Sequence, residues 1–97
     1  MNRYEQAASC LKTLAHPARL EMIRFLIDLK KATVGQISEH AKLAPHVTSE
    51  HLSLLKNKGL LSSHRAGKNT VYEVCEPMLF AIMECIEHKF QNKENVS

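Results

Sequence analysis

Glycine and proline are scarce in this chain, three of each in 97 residues, and tryptophan is absent. So few breakers leave no stretch that reads as a flexible linker or low-complexity segment, and neither an internal repeat nor a second domain is visible. Cysteine is sparse as well. Cys10, Cys75 and Cys85 are widely spaced and form no C-x-x-C pair, so neither a disulfide framework nor a zinc-finger pattern is supported. No run approaches the ~18 apolar residues of a membrane span, and the opening Met1-Asn-Arg-Tyr-Glu-Gln6 lacks the apolar core of a leader peptide, so the expected location is the cytoplasm. Catalytic signatures are missing too. The six histidines, His16, His40, His46, His51, His64 and His88, show no H-E-x-x-H spacing, and no Gly-rich phosphate loop or nucleophile motif is present, so the chain is not expected to be an enzyme.

Acid is absent from one stretch, and this matters more than the mild net charge of +3. From His51 to Tyr72 there are Lys56, Lys58, Arg65 and Lys68 and no Asp or Glu; the 13 Lys and Arg less these four leave nine against all ten acids elsewhere. The positive field is therefore local, and its natural partner is a polyanion. Residues 1–97 are expected to form one domain with a modest core, marginal as a monomer and relieved by dimerisation.

Residues 43–59 combine two faces on one expected helix. Val47, Thr48, His51, Leu52, Leu54 and Leu55 fall on a broad arc suited to a core, while His46, Ser49, Glu50, Ser53, Lys56 and Asn57 fall opposite. Pro45 suits the first turn and Gly59 the left-handed position that closes the helix. A solvated helix face is usually long-chain Glu and Lys; this one begins with short hydrogen-bonding side chains that reach base edges, followed by Lys56 and Lys58 for phosphates. An ordinary amphipathic helix is the alternative for this stretch alone.

Before it, residues 5–15 carry Ala7, Leu11 and Leu14 at helical spacing, with Cys10 beside them as a packing residue. Pro17 opens a second helix with Leu20, Ile23, Leu26 and Ile27 as its apolar stripe; Arg19 and Arg24 lie on its polar flank, read as solvated with a phosphate contact as the alternative. Thr33 is the expected N-cap of a short helix to about Ala41, which makes helix, turn and longer helix in succession. After Gly59, residues 60–65 and 70–74 read as strands around an Ala66-Gly-Lys-Asn69 turn, a hairpin whose Arg65, Lys68 and Asn69 would reach the DNA backbone or minor groove, with a solvated loop as the alternative. Pro77 begins a last helix with Leu79, Ile82, Met83, Ile86 and Phe90 on one stripe; the first helix is its expected partner, and residues 5–15 and 77–90 together the expected dimer interface. Residues 91–97 are expected to fray.

Three blocks, Leu14-Ala-His-Pro-Ala-Arg-Leu20, Val47-Thr-Ser-Glu-His-Leu-Ser-Leu-Leu-Lys-Asn-Lys-Gly-Leu-Leu61 and Arg65-Ala-Gly-Lys-Asn-Thr-Val-Tyr72, resemble the ArsR/SmtB family of winged-helix repressors over roughly residues 5–90. The resemblance implies a mainly α fold with a small β-hairpin, a winged helix-turn-helix with four helices, two strands and a fifth helix. It also implies a homodimer formed through the terminal helices, operator DNA as partner, and repression relieved by an inducer. The family's base-facing positions fall on Pro45, His46, Ser49 and Glu50 and its wing contacts on Arg65, Lys68 and Asn69; Ser53 and Lys56 complete the expected face. Pro45 and Glu50 depart from the commoner pattern. They favour the alternative, a winged-helix module that binds protein without reading DNA, whereas the acid-free stretch favours DNA. His51 is expected to be structural.

The family's inducer sites do not carry over. Thr33 and Gly35 stand where thiolate metal sensors place cysteines, and Glu76, Met78, Lys89 and Asn92 stand where zinc sensors place their last-helix ligands. Arg24 and Gln91 replace the paired cysteines of the sulfide-responsive branch. No metal or cofactor is expected, and the inducer is unidentified. Cys10 and Cys85 are the candidate thiol-sensor pair, through oxidation or a soft metal ion, with burial as small hydrophobes the alternative.

Overall fold

The computed structural model describes residues 1–90; Gln91, Asn92 and the expected frayed tail lie outside the described residues. Five helices, α1 (Arg3–Leu14), α2 (Pro17–Leu29), α3 (Val34–Ala41), α4 (Pro45–Asn57) and α5 (Pro77–Phe90), surround a three-stranded sheet of β1 (Ala32–Thr33), β2 (Leu61–Ala66) and β3 (Asn69–Val74). The helix starts are set by local chemistry. Asn2 and Glu5 form a reciprocal capping box, so α1 begins earlier than its apolar stripe indicates; Thr33 and Gln36 do the same for α3. His16 caps α2 through Nδ1, which accepts from the Ala18 amide at 3.2 Å. The C-terminal end of α4 is closed by Gly59 at φ +75°, with the Gly59 amide donating to Lys56 O and the Leu60 amide to Leu55 O. Those two bonds satisfy carbonyls the helix would leave open and aim the buried Leu60 back into the core.

The core gathers one stripe from each element. Met22, Ile23 and Leu26 of α2, Ile37 of α3, Leu52 and Leu55 of α4, Leu60, Leu61 and Tyr72 of the hairpin region, and Leu79 and Met83 of α5 are buried together. Two expectations need correction. Leu54 is 45% exposed, because at about 3.6 residues per turn it lies well round the helix from the buried Thr48, Leu52 and Leu55 line. Within the chain α5 packs chiefly on α2 rather than on the first helix, and α1 packs chiefly on α4.

The sheet also differs from a simple hairpin. Its order is β1-β3-β2, all antiparallel, with Ala32 opposite Tyr72 and Thr33 opposite Val71. β3 is thus a central strand, which is why the adjacent Val71 and Tyr72 are both buried. The hairpin strands run closer to the tip than expected, Ala66 facing Asn69, and the turn is the two residues Gly67 and Lys68 with Gly67 at φ +64°.

Candidate nucleic-acid interface

Turn and helix geometry bring the expected reading residues to one surface. α3 ends at Lys42 in a left-handed conformation, Ser38 Oγ donates to Leu43 O, and the chain re-enters helix at Pro45, where the missing N–H costs nothing. This turn fixes α4 across α3. Thr48, Leu52 and Leu55 anchor the inner side of α4, so His46, Glu50, Ser53 and Asn57 project as an exposed line, with Pro45 and Lys56 exposed beside it and Ser49 half-buried at its edge. Short polar side chains therefore stand on the outside of a rigidly seated helix.

The hairpin supplies the second part. Arg65, Lys68 and Asn69 are exposed at its end, with Arg65 Nη1 donating to Thr70 Oγ1 at 3.5 Å across the strands. His64 is exposed on the same strand, a further hydrogen-bonding side chain on this surface. No acid lies between His51 and Tyr72.

Other cations are committed elsewhere. Lys58, expected at phosphate, donates through Nζ to Ser9 Oγ and is drawn back onto α1. Arg19 is not a solvated or phosphate-facing residue: its Nε donates to His51 Nδ1 at 3.0 Å and its Nη1 to Thr13 O at 2.9 Å. Arg24 pairs with Asp28 and, at 3.3 Å, with Glu87 of α5. The Asp28 carboxyl is held below its ordinary range by its hydrogen bond to Arg24. His51 accordingly has a structural partner, as expected. Burial, then the neighbouring Arg19 cation and His16, push its imidazole pKa down, opposed by Glu50.

The cysteines are all free. Cys10 is half-buried on α1, Cys85 is exposed on α5, and the exposed Cys75 donates Sγ–H to Gly59 O at 3.6 Å. Among the described residues no three His, Cys, Asp or Glu side chains are grouped to hold a metal ion. No described helix is long and apolar enough to cross a membrane.

A helix-turn-helix whose second helix is exposed, followed by a basic β-hairpin, defines the winged helix-turn-helix class. Comparison with known proteins agrees. Residues 16–63 match the model of the bacterial regulatory protein, arsR family. The transcriptional repressor PagR of Bacillus anthracis is 33% identical over 82 residues, covering 84% of this chain and 82% of PagR, and its crystal structure superposes with a TM-score of 0.76 over 86% of this chain and 94% of that one. The HTH-type transcriptional regulator YgaV of Escherichia coli is 28% identical over 89% of this chain and 87% of its own length. HlyU of Vibrio cholerae, 24% identical in its solved structure, shares the fold with a TM-score of 0.82 over 93% of this chain and 98% of that one. The chain belongs to the ArsR family. Membership places it among DNA-binding transcriptional regulators and sets aside the protein-interaction module as its role.

Proposed function

We propose that this protein is a homodimeric, sequence-specific repressor that sits on operator DNA with α4 in the major groove and the β2–β3 hairpin beside it. The observation that carries the reading is the exposed line of short polar side chains on α4 next to the acid-free basic wing. His46, Ser49, Glu50 and Ser53 face bases, with Pro45 setting the helix entry; Glu50 accepts from a cytosine amino group. Lys56, Arg65, Lys68 and Asn69 hold the backbone. Repression follows the relative named as a repressor, PagR, and an inducer that alters the dimer would end it.

Dimerisation uses the outer faces of α1 and α5. Tyr4 and Leu11 of α1 and Met78, Phe80 and Phe90 of α5 are large apolar side chains left in solvent by the single chain. Two α4 helices must then meet successive major grooves, giving half-sites about one turn, ~34 Å, apart.

The test is operator binding by selected duplexes at graded salt. Ser49→Ala and His46→Ala should change which sequences are preferred, at a cost of about 1 to 3 kcal/mol at one base position. Lys68→Ala should weaken binding to all sequences and flatten the salt dependence. Equal losses on matched and scrambled DNA for all three, or affinity that ignores salt, would overturn the assignment.

A further inference from the structure

Behind the reading face lies a polar node that DNA recognition by exposed side chains does not use. His51 sits on α4, one residue past Glu50 and two past Ser49, but its ring turns inward and is half-buried. Its Nδ1 accepts from Arg19 Nε at 3.0 Å, and the same guanidinium donates to the Thr13 carbonyl at 2.9 Å, next to the last residue of α1. The His16 ring, which caps α2 through its own Nδ1, stands edge-on to the His51 ring with centroids 4.8 Å apart. One half-buried guanidinium thus ties the end of α1, the start of α2 and the inner face of α4 together. The tie requires an imidazole with a bare Nδ1, because a guanidinium only donates.

We propose that His51 is a positioning residue whose neutral ring, through Arg19, holds α4 at the angle needed to read DNA, so that a proton on His51 releases the reading helix. This rests on the DNA-binding role proposed above. Protonation replaces an acceptor with a donor and sets two cations face to face at hydrogen-bond distance, which neither side tolerates. The groups that act on the ring are Arg19 and His16 at the start of α2 and Glu50 on its own helix, while α1 contributes the Thr13 carbonyl through Arg19. Burial and Arg19 hold the folded pKa below the ordinary value of about 6.5. The sign follows: the unfolded chain takes up this proton at higher pH than the folded one. The stabilisation is therefore complete above about pH 6.5 and is lost as pH falls below it toward the depressed folded value.

The direction sets this node apart from the DNA-facing histidines. Exposed side chains such as His46 and His64 on the proposed DNA-facing surface can only strengthen binding by carrying positive charge beside phosphate. His51 acts the opposite way. The experiment compares full-length protein with H51N, whose amide oxygen takes the place of Nδ1 and accepts from Arg19 without titrating. Operator affinity is measured from pH 8 to 5 at fixed salt, and imidazole nitrogen–proton NMR correlations are followed over the same range without DNA. The ratio of wild-type to H51N affinity should be flat above about pH 6.5 and fall by up to about tenfold per pH unit and subunit below the His51 pKa, the limit for one proton released on binding. The free protein should show His51 as the Nε2–H tautomer, and amide shifts of Ser49 and Glu50 should follow its titration in wild type and stay still in H51N. A constant affinity ratio, an Nδ1–H tautomer or unmoved α4 amides would each overturn the proposal. Failure of both proteins to bind any duplex strikes the DNA-binding reading instead, and the tautomer and amide shifts then judge the node by themselves. Should H51N not fold, those wild-type shifts decide.

Discussion

At the scale of single residues, the chain spends its polar groups unevenly. Arg19 and Lys58, which a helical projection leaves indistinguishable from surface cations, are tied to His51 and Ser9, residues distant in sequence. Thr48 is the reverse case, fully buried on α4 with a hydroxyl that has no hydrogen-bond partner among the described residues. A buried hydroxyl without a partner carries its desolvation penalty uncompensated. Thr48→Val, which keeps the β-branched shape, should therefore raise stability by about 1 kcal/mol and the melting temperature by several degrees. Urea unfolding checks this, and a clear loss of stability would mean that the hydroxyl is bonded after all.

At the scale of elements, α4 depends on how it ends. Gly59 lies at φ +75° with open space where a Cβ would project, so a substitution there meets backbone strain and no clash. Gly59→Ala should cost about 1 to 2 kcal/mol, and Gly59→Asn less, because Asn tolerates the left-handed region better. Denaturant midpoints of the two variants measure the difference. If both matched wild type, the cap would contribute nothing to the placement of Leu60.

Much of this level is legible in the sequence, for local reasons. Pro17, Pro45 and Pro77 mark helix starts, Gly59 and Gly67 mark reversals, and apolar spacing selects the buried stripes. What escaped has no local signal or was masked by a stronger one. β1 is two residues long, too short for alternation, and exists because it finds β3 far along the chain. The Asn2 and Glu5 capping box was present in the sequence, but the apolar stripe drew the boundary two residues later. Leu54 stands at the edge of the broad apolar arc, about 120° round the helix from Thr48, and that edge faces solvent. On the candidate interface, the exposure of His46, Glu50, Ser53, Lys56, Arg65, Lys68 and Asn69 follows from period and turn, whereas the retreat of Lys58 needed α1 in place.

At the scale of the whole molecule, five of the eight exposed large apolar side chains among the described residues, Tyr4, Leu11, Met78, Phe80 and Phe90, lie on α1 and α5. Substituting Leu11→Lys and Phe80→Glu together should give a monomer by sedimentation, with a melting temperature that no longer rises with concentration. Its operator affinity should fall by about two to four orders of magnitude, as the second half-site ceases to be bound intramolecularly. A double variant that stays dimeric and binds as wild type would place the interface elsewhere.

Thr33 holds two offices at once: it caps α3 through its side chain and stands opposite Val71 of the wing in the sheet. The first helix of the reading motif and the wing consequently share a hinge pin, and local opening of one should carry the other with it. In amide hydrogen exchange, Val71 and Tyr72 should lose protection together with Ile37 and Ser38 at a common opening free energy, as a single cooperative unit, while the Gly67 tip exchanges freely. In the proposed binding mode, a wing that opened by itself would adapt to many DNA contours, whereas one fastened at Thr33 would present helix and hairpin to the duplex in a fixed relative pose and so favour grooves of one width.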